Sequence, residues 1–276
     1  MTDASSVAQH DEIPESTTDS TIAGLYADIR QVSGLPGINL FYRRLAYAGA
    51  DVLNSFWQQV KPLYASRELN RAGVALEQAV VLPGVCVLDD ALLKAAGIAR
   101  DERASVRATL RYFNQANAMH LVLFSLVAKA LLNEDNPGVV APQPQPEPAP
   151  NGDAELLPLP AWDDTPAESQ ILISAIRNRL APGLTDTIRP TLLRHFGPYP
   201  LLLAALHGYV GTHDSALIDT VAHTRMQALQ LAFASDTDVA FAFDADVHQV
   251  IHDTTTEFRQ IIPVMLVLGS AMIRGL

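Results

Sequence analysis

Cysteine is nearly absent from this chain of 276 residues: Cys86 is the single one. One thiol closes no intrachain disulfide and builds no thiolate metal cluster, so a stapled secreted scaffold is excluded and a reducing, cytoplasmic setting is expected. Basic residues are also scarce, 19 against 30 acidic ones, which gives a formal net charge of -11. That field repels nucleic acid, and no basic stripe offsets it locally, so no nucleic-acid partner is expected. A small anion would feel the same repulsion, so a pocket for one needs its own positive groups or aligned amide dipoles. A glycine-rich phosphate loop is missing: GLPG at 34–37 lies between helical stretches, with no strand before it. A nucleophile elbow is missing too. The most apolar run, IIPVMLVLGSAMI at 261–273, is too short to span a bilayer and reads as a buried terminal helix, so no membrane partner is expected. Residues 1–20 are polar and acidic, without the basic start and apolar core of a secretory signal, and read as a disordered tail.

What the chain does have is helical periodicity. TIAGLYADIRQV places Ile22, Leu25, Ile29 and Val32 on one face. INLFYRRLAYAG resumes after the GLPG break, and DVLNSFWQQVKPLY carries Val52, Phe56 and Val60 as an apolar stripe. Further helices are expected near 67–80 and 88–99, then a long one over 103–132 whose second half must be buried. Only short pieces such as VVLPGVCVL at 80–88 look like strand. Residues 137–160 break the pattern: alternate positions from Pro142 to Pro150 are proline, which favours extended backbone. After this linker the order of elements repeats, ending in a helix from about 246 to 272. Gly37 and Arg43 recur at one common offset as Gly183 and Arg189. The expected architecture is therefore all-α, with helical units at 21–136 and 161–276 related by duplication and any site between them.

Several residues are candidates for chemistry. Asn114, Asn117 and His120 follow one another at three-residue spacing on the long helix. An asparagine both donates and accepts, which suits it to hold a water or a polar ligand, but the same residues can simply tie helices together. Asp186 stands after the Pro182-Gly183 break, where a carboxylate caps a helix or acts as a base. Arg43, Arg44 and Arg189 are either carboxylate anchors or members of ion pairs. His248 and His252 have metal-like spacing, but Gln249 follows the first where zinc-protease chemistry needs Glu, so no metal is expected.

GLPGINLFYRRLAYAG, FWQQVKPLYAS and YFNQANAMHLVLFSLVA, followed by a second unit, resemble the group I (DehI-type), non-stereospecific 2-haloacid dehalogenases. The resemblance spans roughly residues 22–276 and is stronger in the first unit. It implies an all-helical fold of two pseudo-repeats, a homodimer, no cofactor, and a small halogenated carboxylic acid and water as partners. It also implies hydrolysis by direct attack of an Asp-activated water at C2. Asn117 matches the asparagine that holds that water, with Asn114 nearby, and Asp186 is the candidate activator. The family aspartate directly precedes an aromatic-Arg pair; here Thr187 fills that place and Asp186 stands one residue earlier. That displacement makes a catalytically silent helical protein of the same fold the alternative. Phe41, Tyr42 and Trp57 are candidates for an apolar substrate cradle or for the core, and amides near Ile38 for holding the carboxylate.

Overall fold

Local signals set the helix ends. The computed structural model describes residues 12–131, 155–184, 188–235 and 241–276. The Asp19 carboxylate accepts from the Thr21 and Ile22 amides and starts α1 (Ser20–Ser33), and Gly34 ends it with a left-handed φ of 70° that a side chain would disfavour. Asn39 caps α2 (Leu40–Ala48) through a bond from the Phe41 amide. Then come α3 (Ala50–Ala65), α4 (Glu68–Ala79), the short α5 (Asp90–Ala95) and α6 (Glu102–Leu131). The second half holds α7 (Ala167–Leu180), α8 (Thr191–His195), α9 (Pro200–Thr212), α10 (Asp214–Ala234) and α11 (Ala245–Gly275). The fold is all-α. Among the described residues there is no strand, and the stretch at 80–88 is irregular.

Two long helices form the interior. α6 runs for 30 residues and is buried almost without interruption from Val106 to Ala128. It packs along α11, whose own buried stretch runs from Phe258 to Met272, and α4 and α10 flank the pair. α11 as a whole is long and apolar enough to cross a membrane, which the 261–273 run alone is not. Yet 78% of its apolar window is covered by the rest of the chain. Burial inside protein explains that hydropathy.

One polar tie crosses this interior. Asn114 Nδ2 donates to Ser270 Oγ on α11 at 3.0 Å and to Glu77 Oε1 on α4 at 3.2 Å. Burial raises the Glu77 carboxyl pKa, and the bond from Asn114 partly opposes the rise. Gly269 lets the asparagine lie flat against α11, because a Cβ there would collide with Asn114 Oδ1.

Two segments depart from the sequence expectation. Residues 12–19, assigned by composition to a disordered tail, strap onto the helices. The Ile13 amide donates to the Arg43 carbonyl, and the Tyr26 hydroxyl donates to the Ile13 carbonyl. Glu12 pairs with Arg43 and lies 3.5 Å from Arg194, so one carboxylate joins arginines from both halves of the chain. Buried guanidinium groups need such a partner, and the acidic composition that suggested a tail supplies it. The linker expectation over 137–160 ends similarly. Its alternating prolines at 142–150 lie outside the described residues, but Leu156, Leu157 and Leu159 turn inward, since leucines gain more from burial than from exposure.

Gly269→Ala is expected to destabilise the protein by about 1–3 kcal/mol, as overpacking does. The urea midpoint checks this, and a companion Ser270→Ala variant should cost less because it removes one bond without adding bulk.

Candidate active site

A cavity of about 190 Å³ lies between the two halves of the chain. Its first wall is the loop at 36–39 with Leu40, the first residue of α2, so the positive end of that helix faces the space. α6 contributes Tyr112, Phe113, Ala116 and Asn117. The linker end contributes its three leucines. From the second half come Ile188, Pro190, Thr191, Leu192 and His195, with Phe258, Ile261, Ile262 and Met265 of α11. The walls are mainly apolar, and Glu15 of the N-terminal strap reaches them at one side.

The three polar residues of α6 part company. Three-residue spacing rotates each about 60° from the last, so a long buried helix can present them to different neighbours. Asn114 turns to α4 and α11, as described above. Asn117 lines the cavity, 3% exposed, and its Nδ2 has no hydrogen-bond partner among the described residues. His120 is core: its Nδ1 donates to the Ala116 carbonyl and its ring packs against Tyr42, Tyr64 and Phe124.

Phe41, Tyr42 and Trp57 are buried away from the cavity lining. Phe41 packs among Tyr42, Phe56, Phe124 and Phe258. The Tyr42 and Tyr64 hydroxyls lie 2.8 Å apart, and the Trp57 indole donates to Asp28. Of the three, Phe41 touches the cavity wall, through the lining residue Phe258. The arginines are also engaged elsewhere: Arg43 with Glu12 and Glu15, Arg44 with Glu257 at 3.2 Å, and Arg189 over the Trp162 ring at 4.9 Å. Asp186 lies outside the described residues.

Sequence reasoning passed over His195. No spacing rule marks it, because its partners lie in the linker, far from it in sequence. Nδ1 faces the Leu157 carbonyl at 2.8 Å and the Pro158 carbonyl at 3.2 Å, both of which can only accept. Nδ1 therefore carries the hydrogen, and Nε2 keeps its lone pair. The ring meets Phe113 edge to face at 5.0 Å. Burial pushes the imidazole pKa down to about 4; the two carbonyls oppose this, and the Arg194 and Arg43 charges reinforce it. Thr191 adds another buried polar atom, Oγ1, without a partner among the described residues.

No protein-family model and no curated protein matches the chain. Solved structures do. A D-2-haloacid dehalogenase mutant in complex with D-2-CPA aligns with TM-score 0.65 and 15% identity, over 96% of this chain and 95% of that one. Another D-2-haloacid dehalogenase mutant structure aligns at 0.66 and 16%, covering 96% and 94%. A third, D-2-haloacid dehalogenase with L-LA, aligns at 0.64 and 17%, covering 96% of each. The chain shares their fold. At such identity the likeness concerns backbone architecture, and it extends over the whole helical assembly.

Two buried histidines make stability depend on pH. Burial also holds the His120 pKa near 4, against an unfolded value of 6.5. The unfolded chain thus binds more protons between these values, so stability is full above pH 6.5 and falls as pH drops toward 4. Each histidine contributes on the order of 3 kcal/mol to that loss. Urea unfolding followed from pH 7 to pH 4.5 should show it, and His120→Gln should flatten the slope.

Proposed function

We propose that this chain is a hydrolase that removes halide from short 2-haloalkanoic acids, with water attacking C2 directly. The observation that carries the reading is Asn117: a buried amide N–H without a partner among the described residues, in a mostly apolar cavity between the two halves. Its backbone setting is the fold shared with enzymes crystallised as 2-haloacid dehalogenases.

The chemistry fits those walls. A 2-haloacid has one anionic end, one apolar halogen and a carbon that must be approached from behind. The positive end of α2 gives the carboxylate a local attraction that offsets the acidic field of the molecule. Phe113, Ile262 and Met265 give the halogen an apolar bed. Asn117 Nδ2 donates to the oxygen of a water and holds it for attack. Displacement then forms the C2–O bond as halide leaves with its bonding electrons, and a base takes one proton from the water. Asp186 is proposed as that base, from its place in the resemblance. A homodimer is part of the same proposal. The pairing of α6 with α11, each the last helix of its half, supports reading the two halves as a duplication.

Purified protein should release halide from a panel of D and L 2-chloropropionate and 2-bromopropionate. Asp186→Asn should abolish release with folding intact, and Asn117→Ala should lower kcat on the order of 100-fold, the usual cost of one lost transition-state donor. In heavy-oxygen water, a single turnover should put the label in the hydroxyacid at once. Full activity in Asp186→Asn removes that residue from the mechanism, and no halide release from any substrate removes the enzyme reading in favour of a silent homologue.

A further inference from the structure

The cavity holds a histidine that the dehalogenase reading leaves without a task. His195 is 6% exposed, lines the cavity beside Thr191, and packs against Phe113 of the helix that carries Asn117. A buried imidazole in an apolar wall is costly unless both nitrogens are used. Nδ1 is used, because two backbone carbonyls fix it as the donor. Nε2 is then a fixed acceptor, oriented by the same bonds, as second partners commonly orient functional histidines.

We propose that Nε2 of His195 accepts a hydrogen bond from the attacking water, making His195 a catalytic residue alongside Asn117; this rests on the dehalogenase reading. A nucleophilic water has four directions to satisfy. Asn117 Nδ2 donates to one lone pair. The second lone pair must stay free to point at C2. One hydrogen leaves to the base as the C2–O bond forms and the halide departs with the C2–halogen pair. The other hydrogen stays on oxygen in the product hydroxyl, and during attack it needs an acceptor. His195 Nε2 provides one, so donor and acceptor, together with the base, leave the water a single rotational orientation. Neutrality is required for this role, since a protonated ring has no lone pair to offer. Burial, with Arg194 and Arg43 nearby and Glu15 and Glu12 partly offsetting them, holds the ring neutral at ordinary pH. Thr191 Oγ1 lies in the same wall and can bond the substrate carboxylate.

His195→Asn separates this role from a structural one. Its amide N–H can still reach the Leu157 carbonyl and tether the linker, but nothing occupies the place of Nε2. The expected result is a kcat at least about tenfold lower with KM within about threefold of the parent, at unchanged thermal midpoint. A kcat within threefold of the parent overturns the proposal. A second measurement does not depend on activity or on the variant folding: side-chain 15N NMR of the histidines in the parent protein. His195 Nε2 should show the unprotonated shift at pH 7 and should move when 2-chloropropionate is added. A protonated Nε2, or one unmoved by saturating 2-chloropropionate, overturns the proposal. If the parent releases no halide, the dehalogenase reading fails on its own, and the NMR result still decides whether His195 faces a ligand.

Discussion

The structure depends on the burial of α6 against α11. Each helix carries a largely buried stretch of more than four turns, and each packs more extensively against the other than against any other helix. Side by side they remove each other's surface from solvent, and the remaining helices close around them. This constraint determines where everything else goes. It places the cavity at the seam between the halves, and it makes every polar group on α6 answer for itself.

Polar groups at that depth meet different neighbours. Asn114 works as a clasp between helices through Nδ2, which donates to Ser270 and Glu77, while its Oδ1 has no partner among the described residues. Asn117, one turn further along, faces space, and its Nδ2 has no partner among the described residues. The histidines differ in their surroundings. His120 lies under aromatic rings, whereas His195 is held by carbonyls from the linker and stands in the cavity wall. Both are kept neutral by the low dielectric around them.

Charge is handled by pairing rather than exposure. Glu12 sits between Arg43 of the first half and Arg194 of the second, and Glu15 reaches Arg30 at 2.6 Å. The strap therefore acts as a counter-charge that fills the gap between the halves near the cavity. Of the arginines that looked available as carboxylate anchors, Arg43 is engaged by the strap, Arg44 pairs with Glu257 and Arg189 lies over Trp162. The positive charge that borders the cavity beside α2 is the end of that helix, a feature of backbone rather than side chain.

Helical class, helix positions and the need to bury 103–132 and the C-terminal helix were legible in the sequence, because they follow from periodicity and hydropathy, which are local properties. The identity of Asn117 as a cavity residue was half legible: spacing put it on a candidate face, but the same spacing favoured Asn114 and His120 equally. Only packing distinguished the three, since it decides which direction around a buried helix opens onto space. The role of 155–160 as a cavity wall, the strap of 12–19 and the place of His195 were not legible at all. Each depends on contacts across long stretches of chain, and such contacts exist only after the two long helices have come together.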